Sequence, residues 1–406
     1  MGAEPKGRVR ILSGAGRPLA LLMQRHALMA SATLAAVIAA GAAGCESDPC
    51  RSLGSGNVDE CLRLNHIQTL GTHNSYHLQP SPALRQALDS ISPGWGEHWE
   101  YDHRPLVEQL ELLGIRQLEL DIFHDPYGGH FVRPAGRLLA GEPEELSEPS
   151  LLEPGFKVLH VQDVDYETTC WTFVSCLEEV RDWSLSNTDH LPIMILVEVK
   201  EGLLPDTLDF NPTIPFPVRA EELDLIDEEI RSVFDEDHIL TPDYVRGGFP
   251  TLAIALEEKG WPTLGSARGR ILFALDNTEI HREEYLRDHP NLEGRVMFVS
   301  SPPGEATAAF VKMNEAIRDE DLIREYVSRG LVVRTRSDIP VREARSGDTT
   351  RREAALRSGA QWVSTDYPEE SPFGSGYIVR LPGVTGPARC NPVSAPPACR
   401  SEWIVE

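Results

Sequence analysis

Six polar residues of this 406-residue chain are of the types that carry out acid–base and metal-assisted chemistry. Two of them are histidines, His73 and His160, which can exchange protons near neutral pH. The other four offer oxygen atoms and are Asn74, Glu119, Asp121 and Glu198. Three carboxylates and one amide form a hard, oxygen-only ligand set that suits calcium, whose remaining positions can be filled by water and substrate. Zinc would prefer histidines, and magnesium less often uses so many carboxylates in one dedicated site.

Short runs of β-branched and leucine residues predict the elements that would position these side chains. Eight runs are predicted to be strands: His66–Thr72, Arg116–Ile122, Lys157–Val161, Pro192–Lys200, Arg270–Asp276, Arg295–Ser300, Leu331–Arg336 and Trp362–Asp366. Helical patterns between them include Cys170–Leu185, Glu221–Phe234, Asp319–Ser328 and Thr350–Arg357. Eight alternations of strand and helix predict a single (β/α)8 TIM barrel of the α/β class rather than separate domains.

The candidate residues fall at the carboxyl ends of these predicted strands, where barrel enzymes have their active sites. Glu119 and Asp121 are two residues apart on the second strand, so their side chains point to the same side. Charges that face the inside of a barrel are costly unless they form a site. Two irregular segments, Gly141–Pro154 and Leu203–Val218, follow the second and fourth strands and are predicted to be loops on the same face.

The first 44 residues are predicted to be a lipoprotein-type signal peptide. A basic pair precedes the apolar run Ala27–Ala43, which is too short and too rich in alanine for a convincing membrane span. The small residues just before Cys45 resemble the lipobox of bacterial lipoproteins, so Cys45 is the predicted lipidation site. A plain secretory cleavage nearby is the alternative, and Met23 is a second candidate start. We expect an exported lipoprotein of the cell envelope or cell surface, or otherwise a secreted protein.

The cysteines agree with export, because seven is an odd number and an exported protein should not keep a stray thiol. Without Cys45, six remain, and they form three local pairs that we predict to be disulfides: Cys50–Cys61, Cys170–Cys176 and Cys390–Cys399. A metal site is the alternative, but these thiols are scattered and lack clustered histidines. The predicted organisation is then a stapled N-terminal linker at 45–63, the barrel at 64–370 and a disulfide-containing C-terminal extension at 371–406.

The charge of the chain limits its partners. Residues 1–44 contain five basic residues and one acidic residue, which leaves 33 basic and 62 acidic residues and a net charge of −29. Such a surface repels nucleic acid and gains nothing from the field of an anionic bilayer. Contact with lipid must therefore depend on an anchor, apolar loops or bridging cations, and no obligate protein partner is evident.

In order and strand position, the candidate residues resemble the catalytic domain of phosphoinositide-specific phospholipase C. The resemblance lies in His73-Asn74, Glu119-Leu120-Asp121, His160 and Glu198, and it extends from about Leu64 to Pro368. It is strongest with the bacterial calcium-dependent branch. The resemblance implies that the asparagine and the three carboxylates bind Ca2+ and that the two histidines perform catalysis.

The reaction implied by this resemblance is cleavage of phosphatidylinositol at a membrane interface. The inositol 2-hydroxyl would attack phosphorus, release diacylglycerol and leave a cyclic inositol phosphate. Calcium would lower the pKa of the hydroxyl and neutralise developing charge. Glu198 or His73 would accept the proton, and His160 would protonate the departing glycerol oxygen. The residues themselves leave the assignment of acid and base open.

The fifth predicted strand departs from the eukaryotic pattern. Two lysines that grip ring phosphates in the eukaryotic enzymes are replaced here by Ala274 and Asp276. We therefore expect an unphosphorylated headgroup, with Asp276 accepting hydrogen bonds from ring hydroxyls. Other groups predicted to bind the scissile phosphate or the ring are Lys200, Arg336 or its neighbour Arg334, and Tyr367. We expect one of the two arginines to face inward.

Structural roles are the alternative for each candidate. His160 could be a hydrogen-bonding structural histidine, Asn74 a turn residue, and Asp366 purely structural. The Glu119/Asp121 pair could be an ion-pair partner of Arg116 or Lys200.

Two other functions also remain open from the sequence. One is a glycerophosphodiester phosphodiesterase-like hydrolase, which would hydrolyse a water-soluble substrate without a lipid interface. The other is a non-catalytic inositol-lipid binding or adhesion module, which would retain liposomes without releasing diacylglycerol.

Overall fold

The predicted alternation of strands and helices is present in the computed structural model, which describes residues 49–205 and 211–406. The predicted signal peptide and the predicted lipidation site, Cys45, lie outside these residues. The strands are β1 (Ile67–Thr72), β2 (Gln117–Asp125), β3 (Gly155–Val158), β4 (Ile193–Val199), β5 (Ile271–Leu275), β6 (Met297–Val299), β7 (Phe310–Lys312), β8 (Val332–Arg336), β9 (Trp362–Thr365) and β10 (Ala388–Cys390).

The helices pack around these strands. They are α1 (Val58–Cys61), α2 (Pro82–Ile91), α3 (Leu106–Leu112), α4 (Ala135–Leu139), α5 (Phe173–Ser186), α6 (Ala220–Val233), α7 (Pro242–Arg246), α8 (Leu252–Glu258), α9 (Leu264–Ala267), α10 (Glu279–Leu286), α11 (Ala316–Ser328), α12 (Arg342–Ser346) and α13 (Thr350–Ser358). The four helices predicted from the sequence correspond to α5, α6, α11 and α13. Within the two described ranges, no helix has both the length and the apolar character that crossing a membrane requires.

Eight of the strands form a parallel barrel in the order β6-β5-β4-β2-β1-β9-β8-β7. A parallel bridge between Ser300 and Phe310 brings the two end strands, β6 and β7, together. Strands such as β4 are almost continuously apolar because helices cover one face and the barrel interior covers the other. The predicted TIM barrel is therefore confirmed.

One predicted barrel strand is wrong. We expected Lys157–Val161 to be the third parallel strand, but Gly155–Val158 pairs antiparallel with the second half of β2, Ile122–Asp125. β2 continues into this hairpin, and β4 pairs directly with β2 in the barrel. The strand missing from the prediction is β7, which has only three residues. Its apolar pattern is too short to be recognised in the sequence.

The first two barrel strands approach each other closely at Gly71. A side-chain Cβ at this position would lie 2.7 Å from Cβ of Gln117, which cannot move without its strand, so glycine is required here. The backbone N–H of Ser75, just beyond β1, donates to the carbonyl of Glu119 on β2 at 2.9 Å. These contacts bring the residues after β1 against the carboxyl half of β2.

The C-terminal part of the chain packs against the amino-terminal side of the barrel. β10 pairs antiparallel with Ile67–Thr69, and Oε1 of Glu406 accepts a hydrogen bond from Nε of Arg116 at 2.7 Å. The alternative that Arg116 pairs with Glu119 or Asp121 is therefore wrong. The structure also contains the three predicted disulfides, Cys50–Cys61, Cys170–Cys176 and Cys390–Cys399.

Candidate active site

The predicted metal ligands meet at the carboxyl ends of β1, β2 and β4. Asp121 is the register partner of Glu198 on the neighbouring strand, and Glu119 lies two residues earlier on the same side. One carboxylate oxygen from each of these three residues lies within 4.8 Å of the other two. Asn74, at the end of β1, donates from its amide nitrogen to the Tyr101 hydroxyl at 3.0 Å. The strands thus bring the three carboxylates together, and Asn74 follows the neighbouring strand β1.

Several oxygen atoms of this group are buried without a hydrogen-bond donor. The amide oxygen of Asn74 and Oδ1 of Asp121 have no partner among the described residues, and Oδ2 of Asp121 has only the ammonium of Lys200 beside it, at 3.2 Å. Asn74 also has a φ of 46°, a left-handed conformation that is uncommon outside glycine. Buried polar atoms are costly when they lack a partner, and a bound cation would supply one. The residues present therefore fit an oxygen-coordinated divalent cation.

Two cationic side chains partly balance the three carboxylates. Nζ of Lys200 lies 3.2 Å from Oδ2 of Asp121 and 3.1 Å from Oε1 of Glu198, while Arg334 is paired with Glu119. Although burial opposes ionisation, Lys200 holds the pKa of Glu198 below its ordinary value. Burial raises the pKa of Glu119 to about 7 despite the neighbouring guanidinium. The ammonium of Lys200, a predicted substrate contact, thus lies between two predicted metal ligands.

His73 is held by a carboxylate and a guanidinium. Its Nδ1 lies 2.8 Å from Oδ1 of Asp366, and its Nε2 lies 3.1 Å from Nη1 of Arg336. Nη2 of the same arginine donates to Oδ2 of Asp366 at 3.1 Å. A guanidinium can only donate, so Nε2 of His73 must accept and Nδ1 must carry the hydrogen. Burial, together with the charge of Arg336, lowers the pKa of His73 well below its ordinary value. His73 is therefore a neutral imidazole with a lone pair on Nε2.

His160 shares a carboxylate with a second histidine. Its Nδ1 lies 2.6 Å from Oδ2 of Asp165, whose two oxygens each lie 2.9 Å from Nε2 of His77. Nδ1 of His77 faces the backbone carbonyl of Tyr101 at 3.0 Å. Both nitrogens of this buried histidine face oxygen acceptors, so His77 is an imidazolium. Although burial opposes the charge, Asp165 raises the pKa of His77.

The loop that contains His160 is fixed by a small hydrophobic cluster outside the barrel core. Leu159, Val164 and Tyr166 from this loop pack with Trp99, among other residues. The ring of Trp99 also meets His160 edge-on, with ring centroids 6.3 Å apart. We had expected His160 to lie at the end of a barrel strand. Instead, the segment after the β2–β3 hairpin positions it.

The remaining predicted substrate contacts also lie at this end of the barrel. Both Arg334 and Arg336 reach the site. The expectation that only one of them faces inward is therefore wrong, because side chains two residues apart on a strand point to the same side. Asp276 follows β5 and is paired with Lys312 at the end of β7. Tyr367 has a buried hydroxyl without a described partner.

Three site residues were missed by the sequence analysis: His77, Asp165 and Lys312. Asp165 and His77 lie in loops where no periodicity marks them, and Lys312 ends the strand that was not predicted. The only available signal was proximity in sequence, since His77 is four residues after His73 and Asp165 is five residues after His160.

Comparison with known proteins places the chain in a family. A family model described as "Phosphoinositide phospholipase C, Ca2+-dependent" matches residues 62–392. No curated protein sequence matches the chain.

Among solved structures, the calcium-dependent phosphoinositol-specific phospholipase C from the Gram-negative bacterium Pseudomonas sp is similar in its apo form. The TM-score is 0.50 at 15% identity, covering 80% of this chain and 96% of that chain. The myoinositol complex of that enzyme gives a TM-score of 0.50 at 15% identity, covering 81% and 98%. The Ca2+-dependent phosphatidylinositol-specific phospholipase C from Streptomyces antibioticus gives a TM-score of 0.48 at 17% identity, covering 76% of this chain and 95% of that chain. Because the family model matches most of its length, the chain belongs to the family of Ca2+-dependent phosphoinositide phospholipases C.

Proposed function

We propose that this protein cleaves phosphatidylinositol by attack of the inositol 2-hydroxyl on phosphorus. The bond between phosphorus and the glycerol oxygen breaks, diacylglycerol leaves, and a cyclic inositol phosphate remains. The observation that supports this most strongly is the arrangement at the barrel end, where a cluster of three carboxylates lies near two histidines, His73 beside Asp366 and His160 beside Asp165. The nucleophile belongs to the substrate, so no activated serine or cysteine is needed.

His73 is suited to accept the proton of the 2-hydroxyl. Its Nε2 carries the lone pair, and Asp366 accepts from Nδ1, which fixes the ring and stabilises the imidazolium that forms. Arg336, which contacts the same Nε2 in the structure, would turn to the anionic phosphate when substrate is present. Asp366 is thus a positioning residue in this proposal, and Arg336 a substrate contact.

His160 is suited to protonate the departing glycerol oxygen. Asp165 accepts from its Nδ1, and its Nε2 has no hydrogen-bond partner in the described part of the chain. Burial lowers the pKa of His160, which makes its imidazolium a stronger acid than a free one. The negative charge of a bound phosphodiester favours protonation of the ring before the reaction. Asp165 is the positioning residue of this second pair.

The predicted ligands Asn74, Glu119, Asp121 and Glu198 would hold Ca2+. The ion supplies positive charge beside the phosphate and lowers the pKa of the attacking hydroxyl. Lys200 now pairs with Asp121 and Glu198, and we propose that it contacts a phosphate oxygen once a cation binds these carboxylates. Glu119 keeps its contact with Arg334, which orients the carboxylate.

Removal of divalent cations is the direct test of this function. Chelation with EGTA is expected to lower the cleavage of phosphatidylinositol by on the order of 10³-fold, because the charge beside the phosphate is lost. Added Ca2+ should restore the activity better than Mg2+. The measurement is diacylglycerol release from mixed micelles, with a water-soluble glycerophosphodiester as the comparison substrate. Full activity in chelator, or faster cleavage of the water-soluble substrate, would contradict the proposal.

We also propose that the protein is an exported lipoprotein anchored through Cys45. Its three disulfides support export, since such bonds are typical of proteins that fold outside the reducing cytoplasm. Cys45→Ala is expected to move the protein from the membrane fraction to the soluble fraction without changing the hydrolysis of detergent-dispersed lipid. Ser47→Ala, two residues later, serves as the control and should stay with the membrane. Unchanged membrane association of the Cys45 variant would argue against the anchor.

A further inference from the structure

One buried tyrosine contacts both halves of the site. The hydroxyl of Tyr101 accepts a hydrogen bond from the side-chain nitrogen of Asn74 at 3.0 Å. Its ring stacks on that of His77, with ring centroids 4.1 Å apart and an angle of 19° between the planes. Its backbone carbonyl accepts from Nδ1 of His77 at 3.0 Å. Tyr101 is buried, so these contacts are made inside the protein, behind the groups that would meet substrate.

The backbone beside Tyr101 is fixed to the turn that contains Asn74. The N–H of His103 donates to the carbonyl of His77 at 2.9 Å, and Nε2 of His103 donates to the carbonyl of His73 at 2.8 Å. Within the turn, the N–H of His77 donates to the carbonyl of Asn74 at 2.8 Å. The hydroxyl of Tyr101 is therefore held in a fixed place relative to Asn74 before any cation binds.

The two ends of the Asn74 amide have opposite hydrogen-bonding character. Its oxygen can bind a cation, whereas its NH2 group can only donate and would repel one. In the structure, Tyr101 accepts from the NH2 group, and the amide oxygen is buried without a partner among the described residues. A rotation of the amide by half a turn would exchange the two ends. An acceptor for the NH2 group is thus what allows the oxygen to face a cation at no cost in hydrogen bonding.

We propose that Tyr101 is a positioning residue of the calcium site, whose hydroxyl holds the NH2 group of Asn74 and leaves the amide oxygen for the cation. The inference rests on the proposed function, in which Asn74 is a ligand of Ca2+, and adds the residue that orients this ligand. Without the hydroxyl, Asn74 can bind the cation only while its NH2 group stays buried without an acceptor, which is unfavourable. Groups that orient metal ligands in this way contribute about 10- to 100-fold to metal affinity.

Calcium titration of Tyr101→Phe tests the inference directly. The substitution removes one hydroxyl and keeps both the ring that stacks on His77 and the backbone carbonyl that accepts from it. Isothermal titration calorimetry of the metal-free protein should give a Ca2+ affinity about 10-fold or more below that of the wild type. Saturating Ca2+ should restore most of the turnover on phosphatidylinositol, because the catalytic histidines keep their contacts.

Tyr285→Phe is the matched control. Tyr285 lies on α10, and its buried hydroxyl donates to Asp227 on α6 at 2.7 Å, so this variant also removes one buried, hydrogen-bonded hydroxyl. Both variants should be less stable than the wild type in thermal unfolding, but only Tyr101→Phe should lose Ca2+ affinity. If Tyr101 were merely structural, its variant would behave like the control.

A double-mutant cycle with Asn74→Asp shows whether the effect passes through the amide. An aspartate has two equivalent oxygens, so either one can bind the cation and no contact is needed to distinguish them. Tyr101→Phe should therefore lower Ca2+ affinity by less than about threefold in the Asn74→Asp protein, against about 10-fold or more in the wild type. An equal loss in both backgrounds would overturn the inference, as would wild-type affinity in Tyr101→Phe alone.

The outcomes separate this inference from the proposed function. If the wild type cleaves phosphatidylinositol and the cycle shows no coupling, the inference is wrong and the function stands. If the cycle shows the coupling but the wild type does not cleave the lipid, the proposed cleavage fails and the positioning role stands. If the wild type binds no Ca2+, both fail. Should Tyr101→Phe be too unstable to titrate, the rise in its unfolding temperature on adding Ca2+ should be smaller than that of Tyr285→Phe, and an equal rise would contradict the inference.

Discussion

Replacing Asp121 with asparagine is expected to weaken Ca2+ binding by on the order of 100-fold and to abolish cleavage at micromolar Ca2+. Both carboxylate oxygens of Asp121 are buried, Oδ1 has no partner among the described residues and Oδ2 has only the ammonium of Lys200, so this carboxylate should gain strongly from a cation. The asparagine keeps the volume and loses the charge. Excess Ca2+ should recover part of the activity, because the other oxygen ligands stay in place. Isothermal titration calorimetry measures the affinity, and diacylglycerol release measures the activity.

Lys200→Met is the informative comparison for this experiment. The ammonium of Lys200 is the cation that now balances Asp121 and Glu198, so its removal should leave Ca2+ affinity equal to or higher than that of the wild type. Turnover should nevertheless fall, because the proposed phosphate contact is lost. We therefore expect Asp121→Asn to lower the Ca2+ affinity and Lys200→Met to leave it unchanged or raise it. Both substitutions should lower the activity. Wild-type Ca2+ affinity in Asp121→Asn would show that the metal lies elsewhere.

The barrel could be predicted from the sequence because buried parallel strands are runs of apolar residues separated by helical patterns. Ile193–Val199, with both faces covered, is such a run. The hydrophobic pattern does not record the direction of a strand, however, and Gly155–Val158 is equally buried in an antiparallel hairpin. Phe310–Lys312 closes the barrel with three residues, which are too few to show any period.

The carboxylate cluster could be predicted for a similar reason. The side chains of residues two apart on a strand point to the same side, so Glu119 and Asp121 were expected to lie together with Glu198 at the same end of the barrel. The ion-pair partners of other site residues could not be predicted, because loops and distant strands bring the two members of each pair together. Asp366 is 293 residues from His73, and Lys312 is 36 residues from Asp276. Sequence spacing contains no information about such pairs.

The second histidine pair changes what the site can do. Asp165 accepts from both His160 and the buried imidazolium of His77, so part of its charge is already balanced before substrate binds. His160 consequently stays easier to deprotonate than it would be beside an unpaired carboxylate. In the proposed mechanism, an acid of this kind would readily transfer its proton to the glycerol oxygen as the bond to phosphorus breaks.

His160→Ala is expected to lower cleavage of the natural lipid by about 10²- to 10⁴-fold, the usual loss when a general acid is removed. Calcium affinity should change little, since every proposed oxygen ligand remains. A lipid analogue with a nitrophenol leaving group needs little protonation, so its cleavage should fall by a much smaller factor. Asp165→Asn should show the same dependence on the leaving group with a smaller loss, because Asp165 positions His160 and touches no reacting atom in this proposal; its contact with His77 is also lost, so the fold of this variant is checked as well.

The control for this prediction is His98→Ala, which removes an exposed histidine and should leave both substrates unaffected. Circular dichroism and thermal unfolding establish that each variant is folded. The dependence on the leaving group is the decisive measurement, because a merely structural histidine would affect the two substrates equally. Equal losses on both substrates in a folded His160→Ala protein would move the acid role to another group, and no loss on either would make His160 a structural residue.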